Sequence, residues 1–216
     1  MNTGRLFLDS ADLDLVRAAA ASGVVAGITT NPAIMHKQAA HGPQHLGALV
    51  REFTSGPVFY QLTARTPDTA RAELGEVDQA AAGSVDRVVI KLPAQPWLYA
   101  LAASLTADGR EVAFTAVYDP GQVVCAVDVG ARWIIPYVDR ASRLDGDKGP
   151  LVPRLAAFVP DGVALLAASI KSADQALTAM LSGADAVTTT WPVIQSLMTH
   201  PHTDSAVDEF AALHVS

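Results

Sequence analysis

Short runs of apolar, mostly β-branched residues alternate along the chain with longer segments in which apolar residues recur every three or four positions. The first pattern predicts strands that are buried on both faces, and the second predicts amphipathic helices. The predicted strands are Leu6–Leu8, Val25–Thr29, Val58–Leu62, Val88–Leu92, Val112–Val117, Trp133–Val138, Val163–Ser169 and Ala186–Thr190.

Helical patterns separate these strands. They cover Ala11–Ser22, Gln44–Thr54, Pro67–Ala82, Trp97–Ala107, Gly121–Val129, Pro150–Phe158, Ala173–Leu181 and Val193–Met198, with a further C-terminal helix at about residues 203–214. Eight strand–helix units in 216 residues predict an α/β fold, a (β/α)8 TIM barrel formed by residues 1–216 as a single domain. The alternative is an open doubly wound sheet, although no Gly-x-Gly-x-x-Gly motif follows any strand.

Composition narrows the functional classes. Half of the residues are hydrophobic and 17% are charged, which excludes a disordered chain. The net charge of −7 is carried without a basic run, so we expect neither a nucleic-acid partner nor a membrane surface. No signal peptide or membrane span is expected, and Cys125, the single cysteine, is predicted to be a small core residue; both features suit a cytoplasmic protein.

One charged side chain falls inside the fourth predicted strand. Lys91 stands among Val88, Val89, Ile90 and Leu92, where a buried ammonium would lose its hydration. Burial lowers the pKa of a lysine and leaves the neutral, nucleophilic amine that Schiff-base chemistry requires. The alternative is a lysine that reaches solvent or pairs with a carboxylate at the end of the strand.

In a parallel barrel the active site lies at the carboxyl ends of the strands. Lys171 stands at another strand end and competes with Lys91 for the role of nucleophile. Because Ser172 and a predicted helix start follow it, Lys171 is better placed to bind an anion. Lys37 and Lys148 lie in polar or glycine-rich surroundings and are expected in solvent. The deeper burial expected for Lys91 favours it as the nucleophile.

Other polar residues at the strand ends each have a catalytic and a structural interpretation. Asp9 can orient a substrate hydroxyl or move a proton, or it can cap the first helix. Asn31 can bind sugar hydroxyls or form an ordinary Asn-Pro turn. Gln61, Thr115 and Tyr137 can together hold one water for Schiff-base hydrolysis, or each can satisfy hydrogen bonds within the barrel.

Cations follow two neighbouring strands. Arg140 after the sixth strand, with Ser169 and Lys171 at the end of the seventh, would form a phosphate site. The alternative for Arg140 is a surface ion pair with Asp139 or Asp145. The six histidines are expected in loops or near the termini, so we expect no metal site, and we expect no other cofactor.

Six motifs in order along the chain resemble the transaldolase and fructose-6-phosphate aldolase family. They are Leu-Phe-Leu-Asp-Ser-Ala (6–11), Gly-Ile-Thr-Thr-Asn-Pro (27–32), Val-Ile-Lys-Leu-Pro (89–93), Thr-Ala-Val-Tyr (115–118), Pro-Tyr-Val-Asp-Arg (136–140) and Ala-Ala-Ser-Ile-Lys (167–171). The resemblance implies a (β/α)8 barrel and a class I, metal-free mechanism in which Lys91 forms a Schiff base with a ketose or with dihydroxyacetone. It also implies donor hydroxyl binding by Asp9 and Asn31, with Thr30 of the same motif as a further substrate-binding candidate. Arg140 and Ser169 are expected at the phosphate.

The resemblance also bears on the branch of the family. Transaldolases resemble one another in having Glu on strand 3 and Phe on strand 6, where this chain has Gln61 and Tyr137, as in the aldolase branch. With Thr115, these residues would position a water and favour release of free dihydroxyacetone over its transfer. Departures at Ala94–Trp97 and Thr190–Pro192 leave the natural sugar open.

The function expected from the resemblance is a class I aldolase of carbohydrate metabolism, related to pentose phosphate chemistry. It would cleave or form the bond between a dihydroxyacetone unit and an aldehyde such as glyceraldehyde 3-phosphate. The alternatives are a transaldolase, a non-catalytic sugar-phosphate-binding barrel and a phosphosugar isomerase. The resemblance further implies a homo-oligomer, a pentamer or decamer, to which Phe210, Ala211 and Leu213 would contribute.

Overall fold

A computed structural model describes residues 4–38, 42–145 and 149–213. Its eight strands are β1 (Leu6–Asp9), β2 (Val25–Thr29), β3 (Val58–Gln61), β4 (Val88–Pro93), β5 (Val112–Val117), β6 (Trp133–Pro136), β7 (Ala164–Ile170) and β8 (Ala186–Thr189). Each strand pairs in parallel with the next, and β1 pairs with β8, so the sheet closes into a barrel. The predicted (β/α)8 fold is confirmed.

Helices surround the barrel and follow its strands. They are α1 (Leu13–Ser22), α2 (Pro32–Lys37), α3 (Gly42–Glu52), α4 (Pro67–Ala80), α5 (Pro96–Ala107), α6 (Pro120–Asp128), α7 (Val138–Asp145), α8 (Leu151–Ala156), α9 (Ala173–Leu181), α10 (Trp191–Met198) and α11 (Pro201–Leu213), with a 3-10 turn at Val85–Arg87. Several of these helices begin at a side-chain cap. The side chains of Thr66, Asp119 and Ser172 accept hydrogen bonds from backbone N–H groups of the first turn.

Aromatic rings close the lower end of the barrel interior. Phe7, Phe59 and Trp133 meet edge to face, with ring centroids 5.2 to 5.9 Å apart. Gly27 makes room for this cluster, because a Cβ atom at that position would lie 2.5 Å from Phe7 Cε1. The strands therefore carry a dry apolar layer beneath their carboxyl ends.

Several local predictions differ from the structure. Strand β6 ends at Pro136, and helix α7 begins at Val138, where the sequence pattern predicted more strand. The prediction that Cys125 is a core residue is wrong: α6 buries Val123 and Ala126, and Cys125 lies on the exposed side. The histidines were expected in loops or near the termini, but His36 and His45 lie in helices α2 and α3.

The last helix makes little contact with the barrel. Helix α11 has no buried residue, and Val207, Phe210 and Leu213 expose 58%, 65% and 74% of their surface. Within the three described ranges, no helix combines the length and apolar character needed to cross a membrane. Predictions that involve His41, Lys148 and His214 lie outside the described residues.

Candidate active site

Alternation of side chains along the strands builds a polar layer above the apolar one. Successive strand residues point to opposite faces, so a residue two positions after an inward-pointing one also points inward. Asp9 follows Phe7 by two positions, Gln61 follows Phe59, and Lys91 follows Val89. Thr115 and Tyr137 stand in the same relation to the interior residues Ala113 and Ile135. Five of the predicted site residues therefore point into the barrel, each one step along its strand beyond the apolar cluster.

Lys91 is the most deeply buried cation of this layer, with 2% of its surface exposed. Its Nζ donates a hydrogen bond to the carbonyl oxygen of Thr30 at 3.1 Å. Burial lowers the pKa of Lys91 to about 8, against the opposing effect of the Asp9 charge. A solvated lysine is excluded by this burial, and Lys91 forms no ion pair with any carboxylate in the described part of the chain.

Asp9 lies in the same interior layer. Its pKa is raised by burial, while the charge of Lys91, a hydrogen bond from Thr29 and the charge of Lys171 act in the opposite direction. Thr29 Oγ1 donates to Asp9 Oδ1 at 2.8 Å. The alternative role as a helix cap belongs instead to Asp12, whose side chain accepts the first backbone N–H groups of α1. Asp9 is thus a carboxyl group whose protonation is coupled to that of the buried amine.

Two polar atoms in this layer lack partners. Gln61 Oε1 and Thr115 Oγ1 are buried, and neither has a hydrogen-bond partner among the described residues. Gln61 is the direct neighbour of Lys91 across the β3–β4 pairing, and Thr115 pairs with Pro93 on the other side of β4. Since buried polar groups are rarely left unsatisfied, these two atoms are suited to hold a small polar molecule beside Lys91.

Tyr137 completes this side of the barrel mouth. Burial raises the pKa of its phenol. The nearby Thr115 hydroxyl and the Arg140 charge lower this pKa, and the Asp9 charge raises it further. The contact between the Tyr137 and Thr115 hydroxyls does not meet hydrogen-bond geometry, so we regard Thr115 as a neighbour and not as a fixed partner. At neutral pH the phenol is therefore protonated and can donate a hydrogen bond.

The predicted phosphate ligands lie on one side of the mouth. The Arg140 guanidinium stands 4.9 Å from the centroid of the Tyr137 ring. The alternative ion pair with Asp139 is not formed, because the Asp139 carboxylate is bound by Arg143 at 2.9 Å. Ser169 has a left-handed backbone with φ of 63°, at the point where the β7–β8 register shifts. This conformation is unfavourable for a residue other than glycine.

A cavity of about 420 Å³ joins most of these groups. Of the predicted site residues, its wall contains Asp9, Asn31, Lys91, Tyr137, Arg140, Ser169 and Lys171. Thr115 is fully buried, and Gln61 is half-buried and lines two neighbouring cavities, so neither belongs to this wall. The Thr30 hydroxyl is buried and donates to the carbonyl oxygen of Phe59 at 2.8 Å, so Thr30 meets Lys91 through its backbone. The volume is in the range expected for a small-molecule site.

Sequence reasoning did not place two further residues in this wall. Lys37, at the end of α2, and Trp191, at the start of α10, both line the cavity. Helix α2 was missed because it has only six residues, although Asn31 followed by Pro32 is a typical helix start. Asn31 Oδ1 accepts the backbone N–H of Ile34 at 3.0 Å, which leaves its amide N–H groups for a ligand. No cluster of metal-ligating side chains occurs in the described ranges.

The chain is similar to known proteins over nearly its whole length. A family model described as Transaldolase/Fructose-6-phosphate aldolase matches residues 6–215. A protein of Thermoplasma acidophilum named "Probable transaldolase" is 28% identical, over 95% of this chain and 93% of its own length. Proteins with the same name are 30% identical in Hyphomonas neptunium, over 96% and 95%, and 31% identical in a Thermus thermophilus strain, over 95% of each chain.

A solved structure supports the fold alone. It is a Pediococcus acidilactici protein whose name refers to lactate oxidase, and it superposes with a TM-score of 0.59 at 15% identity. The match covers 85% of this chain and 61% of that one. At this identity the likeness carries no information about the reaction.

Proposed function

The chain belongs to the Transaldolase/Fructose-6-phosphate aldolase family, and we propose from this membership and the site that it is a class I aldolase acting on ketose phosphates. Its relatives identify an enzyme of the aldolase or transferase type. The observation that carries the finer assignment is the burial of Lys91 in the cavity, unpaired with any described carboxylate and with its pKa lowered to about 8. A substantial fraction of this amine is neutral near physiological pH and can attack a carbonyl.

The proposed reaction begins at the carbonyl carbon C2 of a ketose phosphate. The neutral Lys91 amine adds to C2, and loss of water gives an iminium ion that withdraws electrons from the neighbouring C3–C4 bond. This bond breaks as a base takes the proton of the C4 hydroxyl; the aldehyde leaves and an enamine remains on Lys91. Asp9, coupled to the amine through its charge, is the proposed proton carrier, and Asn31 is proposed to bind a donor hydroxyl.

The second half of the reaction returns the enzyme to its starting state. The enamine takes a proton at C3, and a water then adds to the iminium carbon so that dihydroxyacetone leaves and the Lys91 amine is restored. The unpartnered Gln61 Oε1 and Thr115 Oγ1, with the protonated phenol of Tyr137, are suited to hold that water. Arg140, Ser169 and Lys171 are proposed to bind the phosphate on one side of the cavity.

A transaldolase is the second candidate, and the names of the relatives favour it. The two reactions share the Lys91 enamine and differ only in its fate, which is protonation or capture by an aldose phosphate. Gln61 and Tyr137 support the aldolase, because amide and phenol groups can both hold the water on which release depends.

Trapping the intermediate tests the shared chemistry. Borohydride reduction in the presence of dihydroxyacetone or fructose 6-phosphate should add the mass of a reduced adduct to the peptide that contains Lys91, and absence of this adduct would rule the mechanism out. Free dihydroxyacetone is then measured with and without erythrose 4-phosphate. Release without an acceptor supports the aldolase, whereas product that forms only with the acceptor supports the transaldolase. Turnover of any ketose phosphate would dismiss a non-catalytic barrel.

We also propose that the chain forms a homo-oligomer through helix α11. The exposed Val207, Phe210 and Leu213 of α11 are compatible with the homo-oligomer that the family resemblance implies. Sedimentation of the intact chain gives the number of copies directly.

A further inference from the structure

Lys37 lies on the wall of the cavity that contains Lys91. It is the last residue of α2, a helix whose first turn is fixed at the cavity by the Asn31 cap. Just beyond the helix, Gln38 Nε2 donates to Asp12 Oδ2 at 3.4 Å, which ties the end of α2 to the start of α1. The position of Lys37 is thus anchored on both sides, while its long side chain is exposed and free to move.

Positively charged side chains outnumber carboxylates around the cavity. Its described wall carries four cations, Lys37, Lys91, Arg140 and Lys171, and one carboxylate, Asp9. Asp9 is engaged by Thr29 and by the charge of Lys91. No carboxylate that the structure describes lies within ion-pair distance of Lys37. In a chain with a net charge of −7, this makes the cavity a local region of positive charge.

Lys37 stands apart from the predicted phosphate ligands. Arg140 and Lys171 follow β6 and β7, whereas Lys37 follows β2, and β8 and β1 lie between them in the barrel. A substrate attached to Lys91 would therefore have cations on both sides of the cavity. Because Lys37 is exposed, we expect its charge to act on the entry and retention of anions more than on the bond-making steps.

We propose that Lys37 is a specificity-determining residue that favours phosphorylated over uncharged substrates by attracting their anionic group to the cavity. This rests on the proposed function and adds a cation on the side of the cavity opposite the phosphate ligands named above. Lysine suits such a position, since its ammonium is a compact charge on a flexible stem and needs no fixed geometry. The phosphate carries about two negative charges at neutral pH, as phosphate monoesters do, which strengthens the attraction.

The test compares Lys37→Gln with Arg5→Gln, which makes the same change of charge at an exposed residue before β1, at the opposite end of the barrel. The acceptor is varied at saturating dihydroxyacetone, as glyceraldehyde 3-phosphate or as uncharged glyceraldehyde. We expect Lys37→Gln to raise KM for the phosphorylated acceptor about five- to tenfold, with kcat within about twofold. KM for glyceraldehyde should not change, and Arg5→Gln should match the parent protein with both acceptors.

Ionic strength gives an independent readout. Since the Debye length shrinks from about 30 Å at 0.01 M salt to about 8 Å at 0.15 M, the KM difference should be largest at low salt and shrink as salt is added. The proposal is overturned if Lys37→Gln behaves like Arg5→Gln, if both acceptors are affected equally, or if kcat falls while KM is unchanged.

Trapping separates failure of this proposal from failure of the proposed function. The parent protein and Lys37→Gln should both give the borohydride adduct at Lys91 with unphosphorylated dihydroxyacetone. If the parent gives no adduct, the aldolase assignment fails. If both proteins give it and the acceptors still do not differ, only the role of Lys37 is lost.

Discussion

Two adjacent layers of the barrel interior use the same strands for opposite purposes. The lower layer is entirely apolar and includes Phe7, Phe59, Val89, Ala113, Ile135, Leu166 and Ala186. Two residues further along six of these strands, the upper layer contains Asp9, Gln61, Lys91, Thr115, Tyr137 and Thr188, whereas the corresponding residue of β7, Ala168, still belongs to the apolar cluster. One step of strand periodicity, about 6.6 Å, separates a tightly packed floor from the proposed reaction centre.

The apolar lower layer accounts for the lowered pKa of the Lys91 amine. The apolar floor seals the interior below Lys91, and burial is the main cause of its lowered pKa. Backbone strain also differs between the two layers. Within the described ranges, the only residues other than glycine with positive φ are Ala116, at 54°, and Ser169, at 63°, and both lie near the carboxyl ends of strands. Among the described residues other than glycine, positive φ thus occurs near the strand ends and not in the apolar floor.

Lys91→Met should have the largest effect of any change in the upper layer. Turnover should fall at least about a thousandfold because the nucleophile is gone. The free energy of unfolding should change by less than about 1.5 kcal/mol, since an apolar chain of similar volume replaces a buried amine. Steady-state kinetics and denaturant unfolding measure the two quantities. Lys171→Met is the control, which should keep the borohydride adduct; loss of the adduct there would make Lys171 the nucleophile.

Phe59→Ala, in the lower layer, should have the opposite effect to Lys91→Met: it should lower stability and leave the chemistry at Lys91 intact. Phe59 is fully buried and meets Phe7 and Trp133 edge to face. Its removal should lower the free energy of unfolding by about 3–5 kcal/mol through lost burial and a residual cavity. The folded fraction at low temperature should still form the Lys91 adduct. If this variant kept its stability but lost the adduct, the floor would belong to the reaction centre, and the division between the layers would fail.

The sequence predicts features that depend on local patterns, but it does not predict which residues form the two interior layers. The barrel was predictable because eight apolar runs alternate with helical patterns, and Lys91 stood out as a charge within such a run. The two interior layers were harder to assign. When both faces of a strand are buried, an apolar run does not reveal which side chains point into the barrel and which point toward the helices.

Contacts between residues distant in the sequence determine the features that the sequence did not predict. The strained backbone of Ser169 accompanies an irregularity in the pairing of β7 with β8, which the local sequence does not encode. Asp12 caps α1, and only the folded chain distinguishes it from Asp9. Lys37 is exposed, as the sequence predicts, but its place on the cavity wall was not predicted because the short helix α2 that carries it was missed.

The pH dependence of the reaction tests whether burial sets the reactivity of Lys91. Its folded pKa is about 8, so the amine is protonated below this value and neutral above it. We expect kcat/KM for dihydroxyacetone addition to fall about tenfold for each pH unit below 8. Because the Asp9 charge raises the pKa of Lys91, Asp9→Asn should shift the midpoint to lower pH, whatever its effect on the plateau rate. A shift to higher pH would contradict this electrostatic account.

Tyr137→Phe tests which residues of the upper layer hold the water that releases dihydroxyacetone. The protonated phenol is proposed to hold the water that releases dihydroxyacetone, so its loss should favour capture of the enamine by an aldose acceptor. We expect the ratio of transfer to release to rise about tenfold or less, while the Lys91 adduct still forms. Free dihydroxyacetone and transfer product are measured in one reaction with erythrose 4-phosphate. An unchanged ratio would remove Tyr137 from the water-binding group and weaken the aldolase assignment.

Ser169→Gly should have the smallest effect and separate strain from binding. Glycine adopts positive φ without steric conflict, so the free energy of unfolding should rise by up to about 1 kcal/mol after the entropy of the unfolded glycine is included. Ala116→Gly should stabilise by a similar amount, because its φ of 54° is comparable. Only Ser169→Gly should also raise KM for phosphorylated substrates, since it alone removes a hydroxyl from the cavity wall. If Ala116→Gly raised KM equally, the backbone at the strand ends, and not the Ser169 hydroxyl, would determine phosphate binding.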